Sequence, residues 1–240
     1  MNLEWYSAGE THRGKLRRCN EDALLQRPEA GLWAVADGMG GHEAGEVASQ
    51  AITSELQDLE LTGPLSLCVD TVEDRLVEVN DRLRMHARTQ FKGGTVGSTV
   101  VAMISRGRTG VALWAGDSRL YRLREGRLEQ ITRDHNPVSD LLDVGAVSEA
   151  EAMSADTNII TRAVGGQPEL YLDLAVFEVL PRDTYLLCSD GLYREVTFEA
   201  LSGELSRDSV DDSVDALLAQ CLAGPARDNI TLIVARAKAS

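Results

Sequence analysis

The sequence of 240 residues predicts an α+β fold: a four-layer α-β-β-α sandwich, with two antiparallel sheets packed face to face and helices outside. Strand-like runs in the middle of the chain are short and joined by short turns, which favours antiparallel pairing. Helical patterns interrupt the strands early and again near the end, without the regular alternation of strand and helix found in a doubly wound sheet. We expect a single domain over residues 1–240.

The first predicted elements are three strands and two amphipathic helices. Strands are predicted at Trp5–Gly9 and in a hairpin of Asp22–Gln26 with Leu32–Ala36. Apolar residues at helical spacing then predict a helix over Ala44–Leu59 and a longer one over Ser66–Arg88. We expect each helix to bury one stripe, which comprises Val47, Ala48, Ala51, Ile52 and Leu56 in the first and Val69, Val72, Leu76, Val79 and Leu83 in the second.

The rest of the chain is richer in strands. Between residues 134 and 160 the pattern loosens, with short helices expected at Pro137–Val144 and Ser148–Met153. This stretch is either plain connecting structure or a lid that faces a substrate. Ser209 is expected to cap the last helix. The other predicted elements are strands at Thr95–Ile104, Val111–Ala115, Leu120–Leu123, Leu128–Thr132, Leu170–Val179, Thr184–Cys188 and Asn229–Ala235, and helices at Thr197–Leu205 and Ser209–Leu222.

Composition excludes several classes of partner. A net charge of -14 argues against binding to a nucleic-acid backbone. This charge either keeps the protein in solution or is partly clustered around bound cations. No apolar run is long enough to span a bilayer and no signal peptide is recognisable, so we expect a cytoplasmic protein without membrane insertion. The four cysteines lack the close spacing of a zinc site and are expected to be reduced thiols.

Four acidic stretches carry the candidate chemistry. Asp37-Gly38 follows the apolar run that ends at Ala36, and Ser189-Asp190-Gly191 follows a predicted strand in the same way. Glu21-Asp22 and Asp228-Asn229 precede strands. Asp-Gly is also the commonest turn signal, so each pair alone is weak evidence. Together they predict a carboxylate-lined site for hard divalent cations such as Mg²⁺ or Mn²⁺.

Two such cations can activate water near neutral pH and hold it in line with a phosphorus centre, so the natural electrophile is a phosphate ester. An arginine is then needed to bind the phosphoryl oxygens in a planar fork. Arg17 lies just ahead of Glu21 on the approach to this site. Arg13 and Arg18 are its competitors, and both are also typical of a solvated loop.

Eight blocks resemble the metal-dependent protein serine/threonine phosphatases, the PPM or type 2C family, in its bacterial branch. They follow one another in the family's order and cover nearly the whole chain. The blocks are Gly14–Asp22, Val35–Gly41, Gly97–Val100, Trp114–Arg119, Thr132–His135, Ile160–Gly165, Leu187–Leu192 and Arg227–Thr231. The resemblance implies hydrolysis of phosphoserine and phosphothreonine by a binuclear Mn²⁺ or Mg²⁺ centre.

The resemblance also implies the ligands of the first ion. Asp37 resembles the carboxylate that bridges two metals, with the carbonyl of Gly38 on one of them. Asp190 and Asp228 resemble the remaining ligands of the first metal.

The second ion and the substrate have their own implied residues. Glu21 and Asp22 resemble the residues that hold the second metal, partly through water, and Arg17 resembles the clamp on the substrate phosphate. Asp117 matches an acid that joins Asp190 around a third, weaker metal in bacterial relatives. Residues 134–160 correspond to the small flap segment, which differs among members and contributes to substrate choice.

One position departs from part of the family. Some members carry a histidine two residues after the bridging aspartate, proposed as the acid for the leaving alkoxide, and here that position is Met39. His42 is close in sequence and is a candidate, although a histidine after Gly-Gly more often lies at a helix start or in solvent. Metal-bound water is the other candidate, so the leaving-group acid stays open at this point.

Alternatives to this enzyme are a catalytically weak binding module of the same fold and a partner-switching regulator. The first predicts missing ligands and the second predicts an added sensor domain, and neither feature is found in the sequence. The chain is similar to compact phosphatases associated with type VI secretion. The resemblance implies phosphorylated proteins as partners, a Ser/Thr kinase whose action is reversed, and a monomer.

Overall fold

A computed structural model of the chain describes residues 3–40, 44–90, 94–143 and 159–239. The first sheet has five antiparallel strands, and the strand Ile230–Ala239 is inserted between Leu3–His12 and Thr184–Cys188. Its strands, in spatial order, are β1 (Leu3–His12), β11 (Ile230–Ala239), β10 (Thr184–Cys188), β7 (Arg119–Arg124) and β8 (Arg127–Gln130).

The second sheet has six strands, also antiparallel throughout. The predicted hairpin forms its edge, where Asp22 lies opposite Asp37 and Arg27 opposite Leu32. The strands in spatial order are β2 (Asp22–Arg27), β3 (Leu32–Met39), β5 (Val100–Arg106), β6 (Thr109–Ala115) and β9 (Asp173–Glu178), while the short β4 (Gly97–Ser98) pairs with the end of β3.

The sheets pack face to face over an aromatic core. Trp33 and Tyr185 are fully buried there, and Trp5 contacts both rings at centroid distances of 4.7 and 5.8 Å. Helices cover the two outer faces, which confirms the predicted four-layer α-β-β-α sandwich. These helices are α1 (Ala44–Gln57) and α2 (Leu65–Gln90) on one face, and α4 (Asp190–Tyr193), α5 (Phe198–Leu205) and α6 (Val210–Ala223) on the other. A further short helix, α3 (Pro137–Asp143), follows β8.

Each outer layer has its own apolar cluster. The whole predicted stripe of α2 is buried against the second sheet together with Ala48, Ile52 and Leu56 of α1. Val47 is instead 38% exposed, because the buried face of α1 is completed by the small polar residues Ser49 and Thr53. The helices α4 to α6 pack on the first sheet, and Ser209 caps α6 as predicted by accepting from the Asp212 N–H.

The predicted strand Thr95–Ile104 is wrong as a single element. It is split at Thr99 into β4 and β5, which pair with different parts of β3. The Thr99 N–H donates to the Asp37 carbonyl at 2.9 Å, and the Thr99 Oγ1 accepts from the Asp37 N–H at 3.1 Å. The break therefore lies beside Asp37, at the end of the sandwich where the candidate site residues meet.

Strand β9 (Asp173–Glu178) is shorter than the predicted Leu170–Val179, and apolar side chains lie on both of its faces. Leu174 and Val176 point outward and are 47% and 65% exposed, while Ala175 and Phe177 pack between the sheets. The predicted helix Ser148–Met153 and His42 lie outside the described residues. In the part of the chain that is described, no helix is both long and apolar enough to cross a membrane.

Candidate metal centre

The four acidic stretches meet at one end of the sandwich. Asp37 near the end of β3 lies opposite Asp22 at the start of β2, and the Gly38 N–H donates to the Glu21 carbonyl at 3.0 Å. Asp190 lies two residues after the end of β10, at the start of α4, and Asp228 lies two residues before the start of β11. Since β10 and β11 are antiparallel neighbours, the end of one lies beside the start of the other. The predicted site residues from both ends of the chain are thus brought together.

Asn229 connects the two ends of the chain at this site. Its side-chain Oδ1 accepts from the Glu21 N–H at 2.8 Å, and its Nδ2 donates to the carbonyls of Arg13 and Cys19 at 2.9 and 3.0 Å. All three contacts fix the loop that carries Arg17 and Glu21 against the start of β11. The sequence placed Asn229 inside a matching block but gave it no role.

Ser189 connects the two sheets. Its hydroxyl donates to the Asp22 Oδ2 at 2.8 Å and accepts from the Thr231 N–H at 3.0 Å. Asp22 belongs to the second sheet and Thr231 to the first, so this one buried hydroxyl aligns the two halves of the carboxylate cluster. Like Thr99 beside Asp37, it was not singled out from the sequence, because its role depends on how the sheets stack.

Gly38 lies at a point of close approach. A Cβ at this position would overlap the backbone of Gly45, near the start of α1, and the carbonyl of Glu21. Glycine is therefore required for α1 to begin next to the acidic end of β3.

Arg17 is the arginine that reaches the acids. Its Nη2 donates to the Asp228 Oδ2 at 2.6 Å, and its side chain is half exposed. The exposed Arg13 donates to the carbonyl of Arg18 instead. Of the three candidates from the sequence, Arg17 is thus the one whose guanidinium lies both at the carboxylate cluster and at the solvent boundary, where a phosphate could approach.

Asp117 is buried on the far side of Asp190, in the tight turn between β6 and β7. The Tyr193 hydroxyl donates to the Asp117 carbonyl at 3.0 Å and lies 3.4 Å from its Oδ2. Arg194 reaches both acids, with its Nη2 3.6 Å from the Asp117 Oδ2 and its Nε 3.1 Å from the Asp190 Oδ2. Neither Tyr193 nor Arg194 was singled out from the sequence.

The pKa values of the acids in the cluster are raised. For Asp37 the main cause is burial, which disfavours the charged form, and the second is repulsion from the neighbouring carboxylates. Together they raise the pKa of Asp37 well above its usual range. Burial likewise raises the pKa of Asp22 to about 7 and that of Asp117 to about 6. Burial also raises the pKa of Asp190 and that of Glu21.

These acids fit hard divalent cations. The Glu21 Oε1 and the Asp22 Oδ1 are buried and accept no hydrogen bond within the described residues, so both are oriented lone-pair donors. Carboxylate oxygen is the ligand type that Mg²⁺ and Mn²⁺ prefer. In the described ranges, the side chains as positioned do not bring three His, Cys, Asp or Glu groups into the arrangement of a formed metal site.

A cluster of carboxylates for hard cations, with an arginine at its solvent edge and a scaffold of two stacked antiparallel sheets, defines the class of metal-dependent phosphoryl hydrolases. The family model described as Protein phosphatase 2C matches residues 8–226. The chain therefore belongs to the protein phosphatase 2C family, which confirms the resemblance found in the sequence blocks.

Curated relatives are bacterial phosphatases. The chain is 33% identical over 233 residues to the serine/threonine phosphatase stp of Listeria welshimeri, an alignment that covers 93% of this chain and 92% of the relative. It is 35% identical over 229 residues to the serine/threonine protein phosphatase PstP of Mycobacterium tuberculosis, covering 95% of this chain but 44% of that longer protein.

Solved structures agree with the fold. PppA of Pseudomonas aeruginosa, described as a key regulatory component of the type VI secretion system, superimposes with a TM-score of 0.90 at 43% identity, covering 98% of this chain and 100% of the other. The catalytic domain of PstP in complex with two manganese ions superimposes with a TM-score of 0.84 at 34% identity, covering 99% and 100% of the two chains.

Proposed function

We propose that this chain hydrolyses phosphoserine and phosphothreonine in proteins by direct attack of water on phosphorus, without a phosphoenzyme. It is a metal-dependent serine/threonine protein phosphatase of the protein phosphatase 2C family. Its cofactors are two Mn²⁺ or Mg²⁺ ions, which when bound polarise the phosphoryl group and lower the pKa of water to near neutrality. The observation that carries the proposal is the cluster of mutually repelling carboxylates, which holds buried, unpartnered oxygens next to Arg17.

The ligand assignment follows the positions of the acids. Asp37 lies centrally, since Asp22, Asp190 and Asp228 all repel its charge, and this supports its role as the bridge between two ions. Asp190 and Asp228, at neighbouring ends of β10 and β11, are assigned to the first ion. Buried oxygens of Glu21 and Asp22 are assigned to the second ion.

Gly38 is assigned as a backbone ligand. It follows Asp37 directly on β3, and its carbonyl would be a backbone ligand of an ion held by Asp37, since carbonyl oxygen suits a hard cation.

Arg17 is assigned to substrate binding. Its guanidinium is planar and presents parallel N–H donors, the geometry that fits two phosphoryl oxygens. Asp228 already accepts one of these N–H bonds and so orients the guanidinium at the rim of the cluster. The half exposure of Arg17 leaves it accessible to a phosphorylated side chain from solvent.

The acid for the leaving alkoxide is a separate question. Met39 at the end of β3 has a thioether, which carries no proton to donate. We therefore propose that water in the cleft donates the proton to the leaving alkoxide. His42 stays a candidate from the sequence alone, since it lies outside the described residues.

For partners, we propose that the chain acts on phosphoproteins, reverses a Ser/Thr kinase in bacterial signalling, and works in the cytoplasm as a monomeric single domain. The likeness to PppA, whose description links it to type VI secretion, supports a role in that setting. The complete set of acids in the described residues disfavours the alternative of a catalytically weak binding module. Phosphate release from candidate phosphoproteins, with light scattering to measure the mass in solution, tests these points.

The decisive experiment is hydrolysis of a phosphothreonine peptide against Mn²⁺ concentration, with metal-stripped protein as the baseline. We expect Mn²⁺-dependent release of phosphate, and a loss of at least about 100-fold in Asp37→Asn and Asp190→Asn, because changes even to outer-shell groups cost 10- to 100-fold. Asp70→Asn on the exposed face of α2 is the matched control. A folded Asp190→Asn protein with near wild-type turnover would contradict the binuclear centre.

A further inference from the structure

Arg194 lies between two of the acids in the cleft. Its Nε is 3.1 Å from the Asp190 Oδ2, and its Nη2 is 3.6 Å from the Asp117 Oδ2. A divalent ion shared by these two side chains would need an oxygen of each within about 2.0–2.6 Å. The guanidinium already approaches one oxygen of each carboxylate, the Asp190 Oδ2 and the Asp117 Oδ2.

The local structure favours this position of the guanidinium. Arg194 follows α4 directly and its N–H donates to the Asp190 carbonyl, so the two side chains stand one helical turn apart on the same face. The side chain is about two-thirds buried. It is therefore confined between its own helical turn and the Asp117 loop.

The turn that carries Asp117 is held from another side. The Tyr193 hydroxyl donates to the Asp117 carbonyl at 3.0 Å and lies 3.4 Å from the Asp117 Oδ2, the oxygen that Arg194 also approaches. Arg119 stacks on the Tyr193 ring with its guanidinium carbon 3.6 Å from the ring centroid, and is itself held by two hydrogen bonds to Asp134 at 2.7 and 2.9 Å. Tyr193, supported by Arg119, thus holds the Asp117 backbone beside Arg194.

We propose that Arg194 is the permanent cation of the Asp117–Asp190 pair, so that this chain binds two divalent ions in its cleft and no third ion between these acids. The inference rests on the proposed binuclear centre and goes beyond it. An ion between these acids would lie next to the guanidinium charge, which repels the ion and competes with it for one oxygen of each carboxylate. Arg17 differs, because it reaches one carboxylate at the exposed rim, where solvent screens the interaction.

The test counts ions rather than turnover. Metal-stripped protein is titrated with Mn²⁺, and free Mn²⁺ is measured by electron paramagnetic resonance. We expect two ions per chain in the wild type and in Arg194→Lys, which keeps the charge, but three in Arg194→Met, which removes the charge at similar length. Arg207→Met breaks a comparable local ion pair with Glu204 away from the cleft and should leave two.

The double variant Arg194→Met with Asp117→Asn should return to two ions, which places the additional ion at this pair. Three ions in the wild type would overturn the inference while leaving the binuclear centre intact, and so would two ions in a folded Arg194→Met protein. Fewer than two ions in the wild type would overturn the binuclear proposal itself. Even if the methionine variant does not fold, the number of ions in the wild type still tests whether a third ion binds.

Discussion

Single residues in the cleft show how like charges are kept together. Uncharged hydroxyl groups position the acidic residues: the Ser189 hydroxyl donates to the Asp22 carboxylate, the Thr99 hydroxyl accepts from the Asp37 backbone N–H, and the Tyr193 hydroxyl donates to the Asp117 backbone carbonyl. Each of these bonds fixes a direction without cancelling much charge. The remaining negative potential attracts divalent cations. The bound cations, together with Arg17, then attract the phosphate.

Arg17→Ala should raise KM for a phosphopeptide by about 10- to 100-fold with a smaller change in kcat, because a hydrogen bond to a charged group is worth roughly 1.5–3 kcal/mol. Arg17→Lys should recover part of the loss, since it keeps the charge but not the planar fork. Steady-state kinetics at saturating Mn²⁺ measure both. Arg13→Ala is the control, and an unchanged KM in Arg17→Ala would dismiss this residue as the phosphate clamp.

Because the pKa of Asp22 is raised, the stability of the metal-stripped protein should decrease as the pH rises. An ordinary aspartate ionises near 3.9 when the chain is unfolded, while burial raises the pKa of Asp22 in the folded protein to about 7. Between these values the folded state binds more protons than the unfolded state. The free energy of unfolding should therefore fall as pH rises through this window, by up to about 1.4 kcal/mol per pH unit.

Urea denaturation of metal-stripped protein between about pH 5 and 8 measures this slope. Asp22→Asn should make it shallower, and Asp37, whose pKa is also raised, should account for part of what is left. Stability that increases with pH in the wild type would show that the acids are not held together as described.

At the scale of elements, the sequence was informative wherever one periodicity dominated. The stripe of α2 and the β2–β3 hairpin follow from spacing alone, and strands that end in Asp-Gly located Asp37 and Asp190. Thr99 could not be placed this way, because its neighbours predict one continuous strand and only the register against β3 shows the break.

The same limit applies to the residues around the acids. The contacts of Ser189 with Asp22 and of Arg194 with Asp117 span 167 and 77 positions, so no local pattern reports these two contacts. Val47 was expected in the core because it is apolar, but the buried face of α1 includes the small polar residues Ser49 and Thr53 and leaves Val47 outside it.

The joint between α4 and β11 depends on a glycine. A Cβ on Gly191 would overlap the carbonyl of Asn229, so Gly191→Ala must displace the turn that carries Asp190. We expect a loss of about 1–3 kcal/mol in stability and a large drop in Mn²⁺-dependent activity. Gly203→Ala in α5 is the matched control, since nothing lies within 4 Å of its added methyl group, and it should stabilise by about 0.4–1 kcal/mol. Equal stability and activity in the two variants would contradict this description of the joint.

For the whole molecule, cation binding and folding should be linked. Ions that bind the folded chain at 100 times their Kd add about 2.7 kcal/mol to its stability, which for a chain of this size is a rise in Tm of roughly 5–10 °C. Calorimetry with and without Mn²⁺ measures the rise, and Asp37→Asn should reduce it strongly. A Tm that does not change with Mn²⁺ would show that the folded chain does not bind these ions preferentially, and would contradict the ligand assignment.

The pairing of β1 with β11 has a consequence for how the protein is made. These strands match over ten residue pairs, and β11 also pairs with β10, so much of the first sheet forms only once Ile230–Ala239 has been synthesised. Asp228 and Asn229 lie just before β11, and they position Arg17 and Glu21. A chain still growing on the ribosome therefore lacks a complete centre until β11 has emerged. Dephosphorylation begins only once translation has passed β11, more than 200 residues after Arg17 and Glu21 were made.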